Sequence, residues 1–426
     1  MLLKFVMAFL GLCGISYGAA PDYWNEDSTT QRFLSRTGVH DFRVHLQDDL
    51  KGMDFPASWR SWWYVKLNKV DRFRPTKITI TGRARGSYYL PVYSYDGVNW
   101  TSFGTLDVTK RTSGSLVLRK IFEQPEVLVA RSQPYSFMRL KNYLSKIENN
   151  PFVKIDWIGT TPDRHPYPLL TVTNRAFPAK RQMRVWVHAR AHPGETATSY
   201  LVEGLIDYLT KTYAGQRALK FFVFNIAPMH NIDGVVRGFN RTNSLGVNLE
   251  EQWHLDRDNI GGISLKSPQE NRLVAQLLHR YQRSNLPVVV SLNLHSTAGL
   301  PSVQPHFIGH FGESRKYTRK QVASFRMQKV FVEGWQRFAH FPKYKPFYSH
   351  VGAGFLDKAY LETWMWRRYQ HKVLAMTFEA TYGYVPGTKR FFTANDHRWL
   401  GKTLGQSVIT YFHRSNKSQR KALLGR

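Results

Sequence analysis

Acidic residues are scarce in this chain. Asp and Glu number 30 against 60 Lys and Arg, a formal charge of +30 at pH 7 that draws the protein towards anionic surroundings such as a cell envelope, a nucleic acid or an acidic polymer. Cysteine is almost absent: Cys13 is the only one, so no disulfide framework is available. No segment beyond the first twenty residues offers the roughly 18 consecutive apolar residues of a transmembrane helix, so no spanning segment is expected and the mature chain should be soluble. Low-complexity blocks are missing too. With 42% hydrophobic residues and 12 tryptophans, the 426 residues hold material for the cores of about two domains. Gly401-Lys-Thr lacks the upstream glycine of a phosphate-binding loop, and the Gly14-Ile-Ser-Tyr-Gly18 match to a nucleophile elbow falls in the N-terminal leader. A nucleotide-driven enzyme and a serine hydrolase therefore find no support.

Residues 1–20 have the three-part layout of a secretory signal. Lys4 precedes an apolar stretch from Phe5 to Ile15, too short to span a bilayer, and the small residues Gly18, Ala19 and Ala20 follow. Cys13 lies inside this leader, and removing Lys4 leaves 30 − 1 = +29 on the mature chain. The expectation is export to a periplasmic or extracellular compartment. There an anionic envelope polymer or an acidic peptide is a more natural partner than nucleic acid.

Residues 21–133 read as an all-β sandwich domain. Ser61-Trp-Trp-Tyr-Val-Lys-Leu, Lys77-Ile-Thr-Ile-Thr and Gly86-Ser-Tyr-Tyr-Leu-Pro-Val-Tyr are β-branched and aromatic, with turn signals such as Tyr95-Asp-Gly between them. No titratable cluster marks a site there, so a packing module is expected. From residue 134 the pattern changes. Leu140, Tyr143, Leu144 and Ile147 recur at helical spacing, and apolar runs beginning at Arg184, Phe221, Val288 and Val373 alternate with helical stretches such as 196–213 and 268–281. This predicts an α/β domain over 134–415, a mostly parallel mixed sheet with helices on both faces, followed by a basic tail at 416–426.

In such sheets ligands collect past the carboxyl ends of the strands. The Arg184 run delivers His192 and Glu195, the Val288 run delivers His295, and the Val373 run ends in Glu379. Two histidines and a glutamate with one open position match a catalytic zinc site, one Zn2+ per chain held by His192, Glu195 and His295. Glu379 suits proton transfer from water to a leaving amine, and Arg241 suits stabilisation of a developing oxyanion. His306-Phe-Ile-Gly-His310-Phe-Gly-Glu313 repeats the HxxE spacing, but its glycines and phenylalanines favour a loop packed over a cleft. Glu251 and His254 have ExxH spacing without a partner motif, so a solvated or substrate-facing segment is expected.

His192-Pro-Gly-Glu195-Thr, then Pro228-Met-His-Asn-Ile-Asp-Gly through Arg241, then Leu294-His295-Ser and Thr377-Phe-Glu379, resemble the zinc carboxypeptidases. The order of motifs, the Pro134-Tyr-Ser-Phe-Met-Arg-Leu segment and the preceding β domain are most similar to the cytosolic-carboxypeptidase-like branch. The resemblance implies that His192, Glu195 and His295 bind zinc, that Glu379 is general base and acid, and that Arg241 polarises the scissile carbonyl.

One motif departs from that pattern. Where the resemblance implies Asp-x-Asn-Arg, this chain has Asn248-Leu-Glu250-Glu251. Asn248 replaces the Asp that orients the first histidine, and two glutamates replace the pair that grips a terminal carboxylate. Three readings follow: Arg367, Arg368 and Lys372 hold the carboxylate instead; Glu250 or Glu251 recognises an amine, as on a diamino acid of a peptidoglycan stem peptide; or ordinary exopeptidase activity is lost while metal is kept. The leading expectation is a secreted zinc metallocarboxypeptidase acting on peptides or peptidoglycan fragments. Its rival is a peptidase-fold protein that binds anionic envelope polymer or nucleic acid.

Overall fold

The computed structural model describes residues 29–82, 89–110, 114–177, 182–297, 302–313, 315–340, 347–350 and 358–414; the expected leader and basic tail lie outside them. The N-terminal part is the expected β sandwich. One sheet has the order β1-β2-β4-β8-β7, from Leu34–Arg36 (β1), Asp41–His45 (β2), Thr76–Thr81 (β4), Leu116–Lys120 (β8) and Val108–Lys110 (β7). The other has the order β3-β9-β5-β6, from Tyr64–Leu67 (β3), Val127–Ala130 (β9), Val92–Ser94 (β5) and Thr101–Ser102 (β6). The strict alternation in β4, where Thr76, Ile78 and Ile80 are buried and Lys77 and Thr79 are half-buried, is the period-2 signature of a sheet packed on one face. Ile78, Ile80 and Leu118 of one sheet share a buried core with Trp63, Val65 and Val129 of the other part of the domain.

The helix α1 (Phe137–Ile147) opens the second part. Ser136 caps it by accepting the Arg139 N–H, and Leu140, Leu144 and Ile147 form its buried stripe. An eight-stranded mixed sheet follows, ordered β10-β11-β13-β12-β14-β17-β15-β16. Its strands are Val153–Thr160 (β10), Pro166–Val172 (β11), Met183–Ala189 (β12), Phe222–Ala227 (β13), Val288–Thr297 (β14), His306–His310 (β15), Phe347–His350 (β16) and Leu374–Thr381 (β17). The central β13, β12, β14 and β17 run parallel, while β10, β11 and the β15–β17 pairing are antiparallel. Every residue of β13 is buried, as is β14 up to Ser296, which explains why these strands read as continuous apolar runs.

Helices cover both faces. Phe378 packs on Trp335 of α6 (Arg319–Ala339), while its neighbour Thr377 donates to Glu362 of α7 (Leu361–Tyr369), so adjacent residues of β17 face opposite helical layers. On the second layer, Tyr369 of α7 donates to Leu278 O of α5 (Gln269–Gln282). On the first, α2 (Ala197–Lys211) packs on α8 (Ala394–Arg414) at two glycines. A Cβ on Gly204 would stand 1.9 Å from Arg398 O, and one on Gly401 would stand 1.9 Å from Leu201 O. Among the described residues no helix is long and apolar enough to cross a membrane.

Candidate metal centre and cleft

The parallel register sets the site. His295 and Glu379 are directly paired on β14 and β17, and β12 lies on the other side of β14, ending three residues before His192. At the end of β12 the chain turns sharply through Arg190, which adopts φ +63° and donates from Nε to Pro193 O and from Nη1 to Ser199 Oγ, 2.8 Å each. A left-handed non-glycine residue costs roughly 1–2 kcal/mol, so these buried hydrogen bonds hold a conformation the backbone alone would leave. Gly194 follows because its N–H meets Asn240 O at 2.9 Å, and a Cβ there would come within 2.5 Å of Asn240 Oδ1.

His192, Glu195 and His295 converge, with one ligand atom from each inside a 4.8 Å span. His192 Nδ1 lies 2.8 Å from Glu195 Oε1 and 3.2 Å from His295 Nδ1, and His295 Nδ1 lies 3.0 Å from Glu195 Oε2. Bonds of about 2.0–2.1 Å to a tetrahedral ion separate neighbouring ligand atoms by about 3.3 Å, so this spacing fits zinc. The far ring nitrogens complete the fit. His192 Nε2 is 3.1 Å from Asn248 Oδ1, and His295 Nε2 is 3.2 Å from Glu250 Oε2. The Asn248 oxygen accepts at His192 Nε2 and the Glu250 carboxylate stands beside His295 Nε2, which favours the proton at each Nε2 and leaves each Nδ1 lone pair turned inward. Burial would raise the Glu195 carboxyl, but His192 and His295 hold it well below the usual carboxylate range. His192 is pushed down chiefly by burial, which favours the neutral ligand form.

The cleft around this centre has a volume of 380 Å³. Glu379 lines it, and burial pushes its carboxyl up to about 8, with His295 opposing and Glu195 and Glu250 adding to the rise. Its Oε2 has no hydrogen-bond partner among the described residues, leaving that oxygen available to a proton. Arg241 also lines the cleft, 5.2 Å over the ring of Trp59. Its backbone is fixed from the β sandwich: Asp49 accepts the N–H groups of Asn240, Arg241 and Thr242 at 2.7, 2.8 and 2.8 Å. The β domain adds Ser58, Ser61 and Arg131 to the lining, and Arg131 Nη1 donates to Gly194 O at 3.2 Å. It therefore builds part of the wall rather than serving as a remote packing module.

The structure brings His192, Glu195, His295, Asn248, Glu250, Glu251, Arg241 and Glu379 together. It does not bring in Arg367 or Arg368. The helix α7 leads into the start of β17, so its last turn stands at the sheet edge opposite the cleft; Arg367 is exposed there, and Arg368 donates to Gln282 at the end of α5. The residues at the other end of α7, Tyr360 and Glu362, face the cleft instead. Glu250 also differs from the expected amine-binding role, since its oxygens face Asn293 Nδ2 at 2.9 Å and His295 Nε2 at 3.2 Å. The segment 306–310 is strand β15, paired antiparallel with β17, where a loop was expected; His310 at its end lines the cleft. Exposed His254 bonds Gln252, matching the solvated reading of that segment. Glu362, Asp49 and Arg131 escaped the sequence reading. For Glu362 a signal existed, a lone carboxyl in the apolar Leu361-Glu-Thr-Trp-Met-Trp turn.

Residues 140–390 match the family profile described as zinc carboxypeptidase, and residues 25–131 match the one described as cytosolic carboxypeptidase N-terminal domain. The chain is 34% identical over 246 residues to cytosolic carboxypeptidase 3 of Bos taurus, covering 51% of this chain and 24% of that protein. It is 29% identical over 169 residues to cytosolic carboxypeptidase 6 of Homo sapiens, covering 38% of this chain and 33% of the relative. The chain thus spans a third or less of the length of these two relatives. Among solved structures, a metallo-carboxypeptidase from Burkholderia cenocepacia superposes with a TM-score of 0.73 at 19% identity, covering 91% of this chain and 97% of the other. A metallo-carboxypeptidase from Pseudomonas aeruginosa, in complex with (2-guanidinoethylmercapto)succinic acid, gives 0.73 at 22% identity, covering 91% and 98%. These two likenesses concern the fold.

Proposed function

Since the chain belongs to the zinc carboxypeptidase family, we propose that it is an exported metallocarboxypeptidase that removes a C-terminal residue bearing a cationic side chain, such as the diamino acid of a peptidoglycan stem peptide. The chemistry that zinc supplies when bound is Lewis-acid activation. Glu379 takes a proton from the attacking water and returns it to the leaving amine nitrogen. Arg241 donates to the carbonyl oxygen as negative charge develops on it. Export rests on the leader-like residues 1–20.

The observation that carries the substrate class is the placement of Glu362. It is 1% exposed on a cleft of this strongly cationic chain, it accepts Thr377 Oγ1–H at 2.7 Å, and no cation pairs with it among the described residues. Burial, with Glu250 adding, pushes its carboxyl up to about 7. An ammonium from the substrate compensates that desolvated acid, whereas an acidic side chain meets like charge from Glu251 and Glu362. Among the described residues, Arg131 and Arg241 are the arginines that line the cleft and can hold the terminal carboxylate.

The test compares zinc-loaded wild type and Glu362→Gln on matched peptides ending in lysine, diaminopimelate, leucine or glutamate. The expected result is preference for the first two, falling by about tenfold or more in kcat/KM in the variant while the leucine peptide changes little. Equal cleavage of all four peptides by wild type would contradict the substrate class.

A further inference from the structure

We propose that Glu250 is a positioning residue for the second histidine ligand: it fixes the His295 ring and raises zinc affinity. The inference rests on the zinc reading above. For His295 to offer its Nδ1 lone pair to an ion, the ring proton must sit on Nε2. That N–H is buried, since His295 is 3% exposed, and a buried donor needs an acceptor. Glu250 Oε2 stands 3.2 Å away, at ion-pair distance though not aligned as a hydrogen bond, and neither atom has a hydrogen-bond partner among the described residues.

Glu250 is itself held in place. Asn293, two residues before His295 on β14 and therefore on the same sheet face, donates from Nδ2 to Glu250 Oε1 at 2.9 Å. The Glu250 N–H meets Asn248 Oδ1 at 3.3 Å, and that oxygen is the one 3.1 Å from His192 Nε2. One short turn, residues 248–251, thus offers a neutral amide to the first histidine and a carboxylate to the second. A carboxylate behind a ligand imidazole orients the ring and strengthens it as a donor, and loss of such a partner typically costs about 10–100-fold in metal affinity. Glu195 and Glu250 together would also balance the two positive charges of a bound zinc ion.

The test measures the zinc dissociation constant of the full chain by competition with a chromophoric chelator at fixed pH. Variants are Glu250→Gln, Asn293→Ala, the double variant, and Glu362→Gln, which removes a cleft carboxylate that touches neither histidine. The metal-free melting temperature of each is recorded. Glu250→Gln is expected to weaken zinc about 10–100-fold, Asn293→Ala several-fold, and the double variant little more than Glu250→Gln alone, with Glu362→Gln within about twofold of wild type. Zinc affinity unchanged within twofold in Glu250→Gln, or an equal loss in Glu362→Gln, overturns the proposal. If Glu250→Gln lowers the metal-free melting temperature, Asn293→Ala decides alone, and unchanged affinity there overturns it. A wild-type chain that binds no zinc sinks the zinc reading instead, so the two failures are distinguishable.

Discussion

Arg241 Nη2 lies 3.6 Å from Glu251 Oε1, and the same oxygen accepts the Asn248 Nδ2–H at 3.0 Å. The cleft arginine is thereby tied to the turn that orients His192. Both partners are partly exposed, at 28% and 44%, so the pair contributes at most about 1 kcal/mol to stability and acts mainly on orientation. Arg241→Ala is expected to lower kcat by about 10²–10³ with zinc retained, as for loss of an oxyanion donor. Glu251→Gln is expected to lower kcat by no more than about tenfold and to leave the melting transition almost unmoved. Steady-state kinetics on a C-terminal peptide checks both, and an Arg241→Ala enzyme with wild-type kcat would remove Arg241 from the mechanism.

Asp49 links the two domains to the chemistry. Asp49→Ala leaves three backbone N–H groups of residues 240–242 without their acceptor, at a cost of about 1–3 kcal/mol. The expected outcome is lower stability in chemical denaturation together with a reduced kcat, because the Arg241 loop loses its anchor, while zinc content stays at the wild-type level. Reduced stability with unchanged kcat would show that the β domain supports the fold alone.

Stability should fall with rising pH through Glu270. This residue is fully buried in the first turn of α5, and although Asn243 Nδ2 donates to it at 3.1 Å, burial pushes its carboxyl up to about 7, with Asp233 and Asp163 adding. A raised folded-state value means that the folded chain holds this proton while the unfolded chain releases it between about 4.5 and 7. The contribution is complete below about 4.5 and is lost as pH rises through 7. Glu270→Gln should therefore gain on wild type at pH 8, by a few kcal/mol at most, relative to its standing near pH 4.5. Urea midpoints at the two pH values measure this, and a mutant-to-wild-type difference independent of pH contradicts it.

The contact between α2 and α8 depends on two residues without side chains. Gly204→Ala or Gly401→Ala places a methyl 1.9 Å from a backbone carbonyl oxygen, which forces the helices apart. Each should destabilise by at least about 1–3 kcal/mol, read as a lowered denaturation midpoint, with surviving folded protein keeping its zinc. An unchanged midpoint would mean that the helices do not approach this closely.

Much of the site was legible because its residues end apolar strands: buried parallel strands show as unbroken β-branched runs, and His192, Glu195, His295 and Glu379 follow or close them. Helix spans were similarly readable, 268–281 against the observed Gln269–Gln282, because the apolar period is local. Arg367 and Arg368 misled because sequence proximity to Glu379 says nothing of direction: the chain reverses between α7 and β17, carrying the arginines to the far edge and leaving Glu362 at the cleft. Asp49 was invisible because its partners lie 191–193 residues away and are backbone groups, which carry no sequence signature. The role of Glu250 depends on a contact with His295 on a separate strand, from a turn whose side-chain directions no spacing rule supplies.

The most direct test is turnover of a C-terminal peptide by zinc-loaded wild type and Glu379→Gln, with bound zinc quantified in both. About one zinc per chain is expected in each protein, with a fall of about 10²–10⁴ in kcat for the variant. Full activity in Glu379→Gln at equal zinc content would contradict a proton-transfer role for Glu379.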